Sequence, residues 1–380
     1  MEYPDVILLD ATPLQSEHRF RGVGTYVRHL CRALVAMDPD RIVFALARRP
    51  LDGVDADIRT RAVYGTRGHR PAQVYWIYNE LFLRRAIRLS QPSLFHAPDF
   101  NGLVLTPGVP TVATLHDLIP LERTPSITPG PSARLSAWRW QVYWGRLQRA
   151  TAIIAVSQHV KREAIERLHI EPSKITVIYP GVNTDSFRPA DPATLTEPPY
   201  FLMVGTLEPH KNVGAALTAF ARLHQDCPTV RLKMAGTWRE GGKAWLERQC
   251  RALGIGGYCD LLGHVSAREL LHLYQRTTAF LFPSLDEGFG SPLVEAMACG
   301  AAVVTSRYGA PAEVVGDAGL QVDPHQPDAL YQAMKAVLNR DELRASLKAR
   351  ARPRALTFGW EAAARRTWAV YEDVLATSRT

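Results

Sequence analysis

AFLFPSLDEGFGSPLVEAMACG, residues 279–300, decides the fold. It opens with a wholly apolar strand, Ala279-Phe280-Leu281-Phe282. It then turns through Gly288 and Gly290 into a short helix that Gly300 can stop. Ser291 suits the N-cap of that helix and Pro292 its first turn. Strand, glycine turn and helix in that order form the repeating unit of a parallel α/β sheet. Two acids, Glu287 and Glu295, frame the turn. Glycines there let the backbone approach a ligand closely, and carboxylates accept paired hydrogen bonds from vicinal hydroxyls. That chemistry suits a sugar nucleotide, with Glu295 on a ribose and Glu287 on a hexose. A capped helix bearing an exposed acid would explain the same letters without a ligand.

The pattern repeats outward. Val6 to Leu9, Ile42 to Leu46, Thr111 to Leu115, Ala152 to Val156 and Thr176 to Ile178 read as strands, and Thr25 to Met37 as an amphipathic helix. Between Phe187 and Tyr200 four prolines interrupt regular structure. The α/β pattern then resumes at Phe201, with strands at Val230 to Met234, Thr278 to Phe282 and Ala301 to Thr305. The expected organisation is an α/β chain of two facing Rossmann-like domains, 1–190 and 201–358, joined by a linker at 191–200. A closing helix over 359–380 carries Trp368, Tyr371 and Leu375 on one side, and the first domain offers a surface for them. A cleft between two such domains would collect ligands at the C-terminal ends of the strands.

A chain of 380 residues supports two domains. No stretch approaches the roughly 20 apolar residues of a membrane span, and the acidic N-terminus does not read as a signal peptide. Five scattered cysteines lack metal-ligand spacing and point to a reducing compartment, hence the cytoplasm. The net charge is +8, with 24 Lys and Arg against 17 Asp and Glu in 1–190, and 21 against 20 in 191–380. The basic half could meet an anionic membrane surface, a phosphorylated acceptor or nucleic acid. No nucleic-acid motif accompanies it, so nucleic acid is set aside.

Other residues carry chemistry. Lys211 follows the strand Phe201 to Val204 and Gly205, and stands at a helix start, an unfavourable place for a cation unless an anion binds there. A solvent-facing lysine is the plain alternative. Gly22 and Gly24, beside Arg21, precede the helix from Thr25 and could cradle a phosphate or simply turn the chain. His116 ends a buried strand, where it could meet a sugar hydroxyl or serve only packing. His96 ends another possible strand. Trp140 and Trp144 share a helical face among arginines, suited to acceptor sugars, lipid headgroups or internal packing. Asp38 and Asp40, and Asp55 and Asp57, read as caps or solvated charges, so no metal site and no cofactor is expected.

Taken together these pieces resemble the retaining glycosyltransferases of family 4 with the GT-B fold. The resemblance rests on Arg21-Gly22-Val23-Gly24, on His116-Asp117-x-x-Pro120, on Val204-Gly205 through Lys211-Asn212, and on Glu287-Gly288-Phe289-Gly290 through Glu295. Gly309 to Gly316 and Trp360-Glu361 extend it over nearly the whole chain. It implies transfer of a hexose, with retention, from a nucleoside diphosphate sugar to a hydroxyl of a saccharide or lipid-linked acceptor. GDP-mannose is the first donor expected and a UDP-hexose the rival. An epimerase, a hydrolase or a silent sugar-binding protein would use the same fold. The implied catalytic group is His116, Glu287 and Lys211. Donor contacts would come from Gly22, Gly24, Gly205, His210, Lys211, Val265, Phe289, Gly290, Ser291, Leu293 and Glu295. Arg21, His96, Trp140 and Trp144 are the candidates for the acceptor. Many relatives carry an arginine shortly before the lysine. Leu207-Glu208-Pro209-His210 stands there instead, so His210 is the substitute to consider.

Overall fold

The computed structural model describes residues 5–15, 22–46, 58, 61–64, 75–122, 131–190 and 198–379. The chain divides into two compact units, one of Met1–Gly181 with Trp360–Thr380, the other of Val182–Gly359. The chain thus passes between them at Gly181–Val182, ahead of the proline-rich stretch, and again at Gly359–Trp360. Residues 182–190, assigned to the first domain from sequence, belong to the second unit, and 191–197 lie outside the described residues.

The first unit holds β1 (Ile7–Asp10), β2 (Ile42–Leu46), β3 (Ala62–Tyr64), β4 (Leu94–Ala97), β5 (Thr111–Leu115), β6 (Ala152–Ala155) and β7 (Ile175–Val177). They form one sheet in the order β3-β2-β1-β4-β5-β6-β7, parallel throughout. Their apolar runs are continuous because both faces are covered by helices. The helix Gly22–Met37 packs Val27, Leu30, Cys31 and Leu34 into the core. Beside it lies the closing helix, Trp360–Ser378, which buries Ala363, Ala364, Val370, Tyr371, Val374 and Leu375 in the same core. Arg41 ties this helix down through Glu372 at 2.7 Å.

The second unit holds β8 (Tyr200–Val204), β9 (Arg231–Ala235), β10 (Cys259–Gly263), β11 (Ala279–Phe282), β12 (Val303–Ser306) and β13 (Leu320–Val322). Their order is β10-β9-β8-β11-β12-β13, again all parallel. Phe201, Leu232, Leu281 and Val304 meet Leu217 and Phe220 of the helix Val213–Asp226 in one buried cluster. In both sheets the strand order reverses once, beside β1 in the first and beside β8 in the second. Such a switch point parts the loops that follow the two neighbouring strands and opens room for a ligand at their C-terminal ends.

Three strands escape the sequence pattern: β3, β10 and β13. β3 and β13 have only three residues each. β10 is a half-exposed edge strand, Cys-Asp-Leu-Leu-Gly, without an apolar run. It is held instead by its ladder to β9 and by Arg231, which grips Asp260 at 2.6 and 3.0 Å.

Candidate active site

In the second unit the turn after β8 and the turn after β11 flank the switch point. Gly205 leaves β8 with φ +152°, and Gly236 leaves β9 with φ +154°. A Cβ on Gly236 would stand 1.9 Å from the Gly205 carbonyl oxygen, so only glycine permits that approach. After Gly205 a short turn, Pro209–Lys211, leads to Asn212 in the left-handed region at φ 53°. Asn212 anchors the turn, donating from Nδ2 to the carbonyls of Pro283 (3.2 Å) and Pro324 (2.7 Å). Leu285 N–H donates to the His210 carbonyl at 2.7 Å, sewing the two turns together.

This scaffold aims Lys211 at Glu287. Nζ donates to Oε1 at 2.5 Å, with the ammonium also 5.4 Å from the centre of the Phe282 ring. Both side chains are largely buried, at 19% and 10% exposure. A recess lined by Gly205, Thr206, Lys211, Trp238, Phe282 and Ser284 lies beside the pair. Arg239 reaches the same turn from beyond β9 and pairs with Glu208 at 3.1 Å.

The helix after β11 runs from Ser291 to Ala298. Its N-cap is Gly290, at φ 94°, and no side chain caps it. This corrects the expectation for Ser291, which is already helical: Gly290 takes the positive φ that a serine would resist. A Cβ at Gly290 would also crowd Phe282 at 3.2 Å. Gly300, at φ 75°, ends the helix as expected. Glu295 is half-buried rather than exposed, and accepts from the Tyr274 hydroxyl at 3.1 Å. Burial pushes its carboxyl up to about 7, against the lowering effect of that hydrogen bond. Leu293 is wholly buried and Phe289 nearly so, so neither side chain offers itself to a ligand. Val265 is half-buried on the separate turn after β10, ahead of a helix capped reciprocally by Ser266 and Glu269.

In the first unit, Gly22 and Gly24 sit inside the first turn of a helix that starts at Gly22, three residues before the expected start. Arg21, Asp55 and Asp57 lie outside the described residues. Asp38 caps the amide of Asp40 at 3.2 Å, a local turn. His116 follows β5, half-buried, with its Tyr26 neighbour edge-on at 4.9 Å. Its Nε2 donates to the Pro98 carbonyl at 2.8 Å. A carbonyl only accepts, so that bond places a proton on Nε2.

Two acceptor candidates are corrected. His96 is fully buried: Nδ1 meets the Tyr371 hydroxyl at 2.6 Å and Nε2 meets Thr114 Oγ1 at 2.9 Å. Burial, then the neighbouring His116, pulls its pKa down to about 3, so it stays neutral. Trp144 is 8% exposed, against Trp140 at 5.4 Å and Tyr143 at 4.7 Å. Trp140 is half-buried, tilted on Phe100 at 4.7 Å. The aromatic helix, Pro131–Arg149, therefore uses Trp144 and Tyr143 for packing, and leaves Trp138 exposed.

Residues 20–186 match the profile described as Glycosyltransferase Family 4, and 187–354 match Glycosyl transferases group 1. O-antigen chain mannosyltransferase B of Escherichia coli is 33% identical over 230 residues, 57% of this chain and 58% of that protein's length. D-inositol 3-phosphate glycosyltransferase of Frankia alni is 30% identical over 289 residues, 71% of this chain and 70% of that protein. The chain belongs to the group 1, family 4 glycosyltransferases. The fold agrees: Anabaena HepE, solved in complex with UDP-glucose, superposes with a TM-score of 0.74 at 18% identity, covering 97% of this chain and 100% of that one. As a glycosyltransferase of the GT-B class, the protein takes a nucleoside diphosphate sugar and moves its hexose to an acceptor hydroxyl, a reaction generally independent of metal in this class. No described helix is long and apolar enough to cross a membrane.

Sequence reasoning missed Tyr274, Asn212 and Trp238. Tyr274 reads as one more apolar-face residue of the helix Ala267–Arg276, and nothing in its neighbours betrays the carboxylate opposite. Asn212 had a signal, an Asn just before a helix, whose αL conformation was readable.

Proposed function

We propose that the protein is a retaining hexosyltransferase whose donor is a UDP-hexose, with Lys211 on the diphosphate, Glu287 on the hexose and Glu295 on the ribose. The observation that carries this reading is the Lys211–Glu287 pair beside the Gly205 turn. An ammonium and a carboxylate held in contact at the switch point match the two ends of a sugar phosphate. A diphosphate would draw Lys211, and Glu287 would then turn its lone pairs to sugar hydroxyls. The Gly205 turn and the uncapped helix start at Gly290 add backbone amides without a metal ion. His116 of the first unit would serve the transfer step. The departing phosphate would take the acceptor proton, since no carboxylate here is assigned as a nucleophile.

The donor order expected from sequence is reversed. GDP-mannose becomes the second choice. The reason is that the two relatives named above divide between mannose and inositol phosphate chemistry, while the HepE complex holds UDP-glucose on the same fold. A saccharide or lipid-linked hydroxyl is the acceptor class. Thermal shift against UDP-, GDP-, ADP- and dTDP-sugars, followed by mass analysis and anomeric assignment of the product, tests the reading. A UDP-hexose should give the largest shift, and turnover should persist in EDTA. Donor consumption by water alone would favour a hydrolase, and binding without any turnover a sugar-binding protein.

A further inference from the structure

The closing motif Trp360-Glu361 and the residues before it have no role in the chemistry above. Yet Gly359 is the point where the chain leaves the second unit, and an aromatic residue stands on each side of it. Phe358 is 4% exposed, and its ring meets Phe289 edge-on at 5.5 Å. Arg354 lies 5.0 Å from the centre of that ring, itself held by the carbonyls of Val314 and Glu313 at 2.9 Å. The Phe358 carbonyl accepts from Val182 N–H at 3.0 Å, so the two ends of the second unit are joined. Phe289 is thus clamped from behind, in the middle of the glycine turn that carries Glu287.

Trp360 does the same work in the first unit. Its ring stacks on His29 at 5.3 Å and meets Tyr26 at 5.7 Å. Tyr26 is 4% exposed, its hydroxyl is 3.3 Å from Thr114 Oγ1, and its ring stands perpendicular to that of His116 at 4.9 Å.

We infer that Phe358 and Trp360 are positioning residues of the transferase: Phe358 sets the Phe289 turn that presents Glu287, and Trp360 sets Tyr26 and, through it, His116. This rests on the donor and transfer roles proposed above for those loops. One three-residue segment then fixes a loop in each unit, so a change in its backbone would be felt at both.

The test compares Phe358→Leu and Trp360→Leu with the conservative Phe358→Tyr and Trp360→Phe in the full chain, assayed well below each melting temperature. A displacement of reacting groups by a fraction of an ångström suffices for about tenfold effects. Phe358→Leu should therefore raise the donor KM about tenfold, while Trp360→Leu should lower kcat about tenfold and leave donor affinity within about twofold. The conservative variants should recover most of each loss. If a leucine variant does not fold, its conservative partner should still show a smaller change in the same parameter. Lowered melting temperatures with unchanged kcat and donor KM would reduce both rings to structural packing and overturn the inference. Wild-type protein that neither binds nor turns over a nucleotide sugar would instead remove the site reading on which it rests.

Discussion

Lys211 and Glu287 meet as a charge-assisted pair, stronger than a neutral hydrogen bond and largely withdrawn from water. Separate roles predict separate losses. Lys211→Ala should weaken both UDP and UDP-hexose by about 1.5–3 kcal/mol, the worth of a hydrogen bond to a charged group. Glu287→Gln should leave UDP binding nearly intact and weaken binding of the UDP-hexose, because the proposed assignment puts that acid on the hexose and not on the nucleotide. Calorimetry with UDP alone and with the sugar separates the two, and equal effects of both variants on UDP would contradict the assignment. Glu295 adds a pH dependence. Its carboxyl is raised to about 7 by burial, above its usual 4.5. The folded state therefore binds the proton more tightly than the unfolded chain, and stability falls as pH rises from about 4.5 through 7. Glu295→Gln should melt higher than wild type at pH 8, and the gain should vanish below about pH 4.5. Nucleotide affinity should move the other way in the wild type, growing as the carboxylate forms. The two glutamates and the lysine were legible because glycine and helix-start context marked them. The partner of Glu295 was not, since Tyr274 lies 21 residues away in sequence, and neither was that of His96, which meets Tyr371 275 residues away.

At the scale of elements, the switch points put the functional turns where they are. The strands that define them, β1, β4, β8 and β11, are short, apolar and wholly or mostly buried, which is why three of the four were plain in the sequence. Edge strands were not, since β10 draws its order from a neighbour rather than from its own pattern. The same holds for the close approach of Gly236 to Gly205: a glycine ending a strand is visible, but the backbone it lies against is not. Gly236→Ala should force the Gly205 carbonyl aside, cost more than about 2 kcal/mol, and weaken donor binding along with it. Chemical denaturation and the donor titration should both register the change. Retained donor affinity at full stability would show that the turn tolerates a Cβ.

On the scale of the molecule, the first unit is completed by a helix that follows the second in sequence. The bulk of its aromatic and aliphatic face was legible as needing a surface, though its pairing with Gly22–Met37 emerges only in three dimensions. Truncation after Gly359 should leave the first core open and the second unit intact. Limited proteolysis of that truncated chain is expected to return a resistant fragment near residues 182–359, and equal resistance of both units would refute the dependence. The two crossings, tied by the Val182–Phe358 hydrogen bond, make the second unit an insertion within the first. During synthesis at about 5–20 residues per second, residues 182–359 emerge as one uninterrupted stretch and can fold on leaving the ribosome. The earlier residues must wait for Trp360–Ser378 before their core closes. The usual order of N-terminal domain first is thereby inverted, and through that interval the apolar face awaiting the last helix is the surface a chaperone would find.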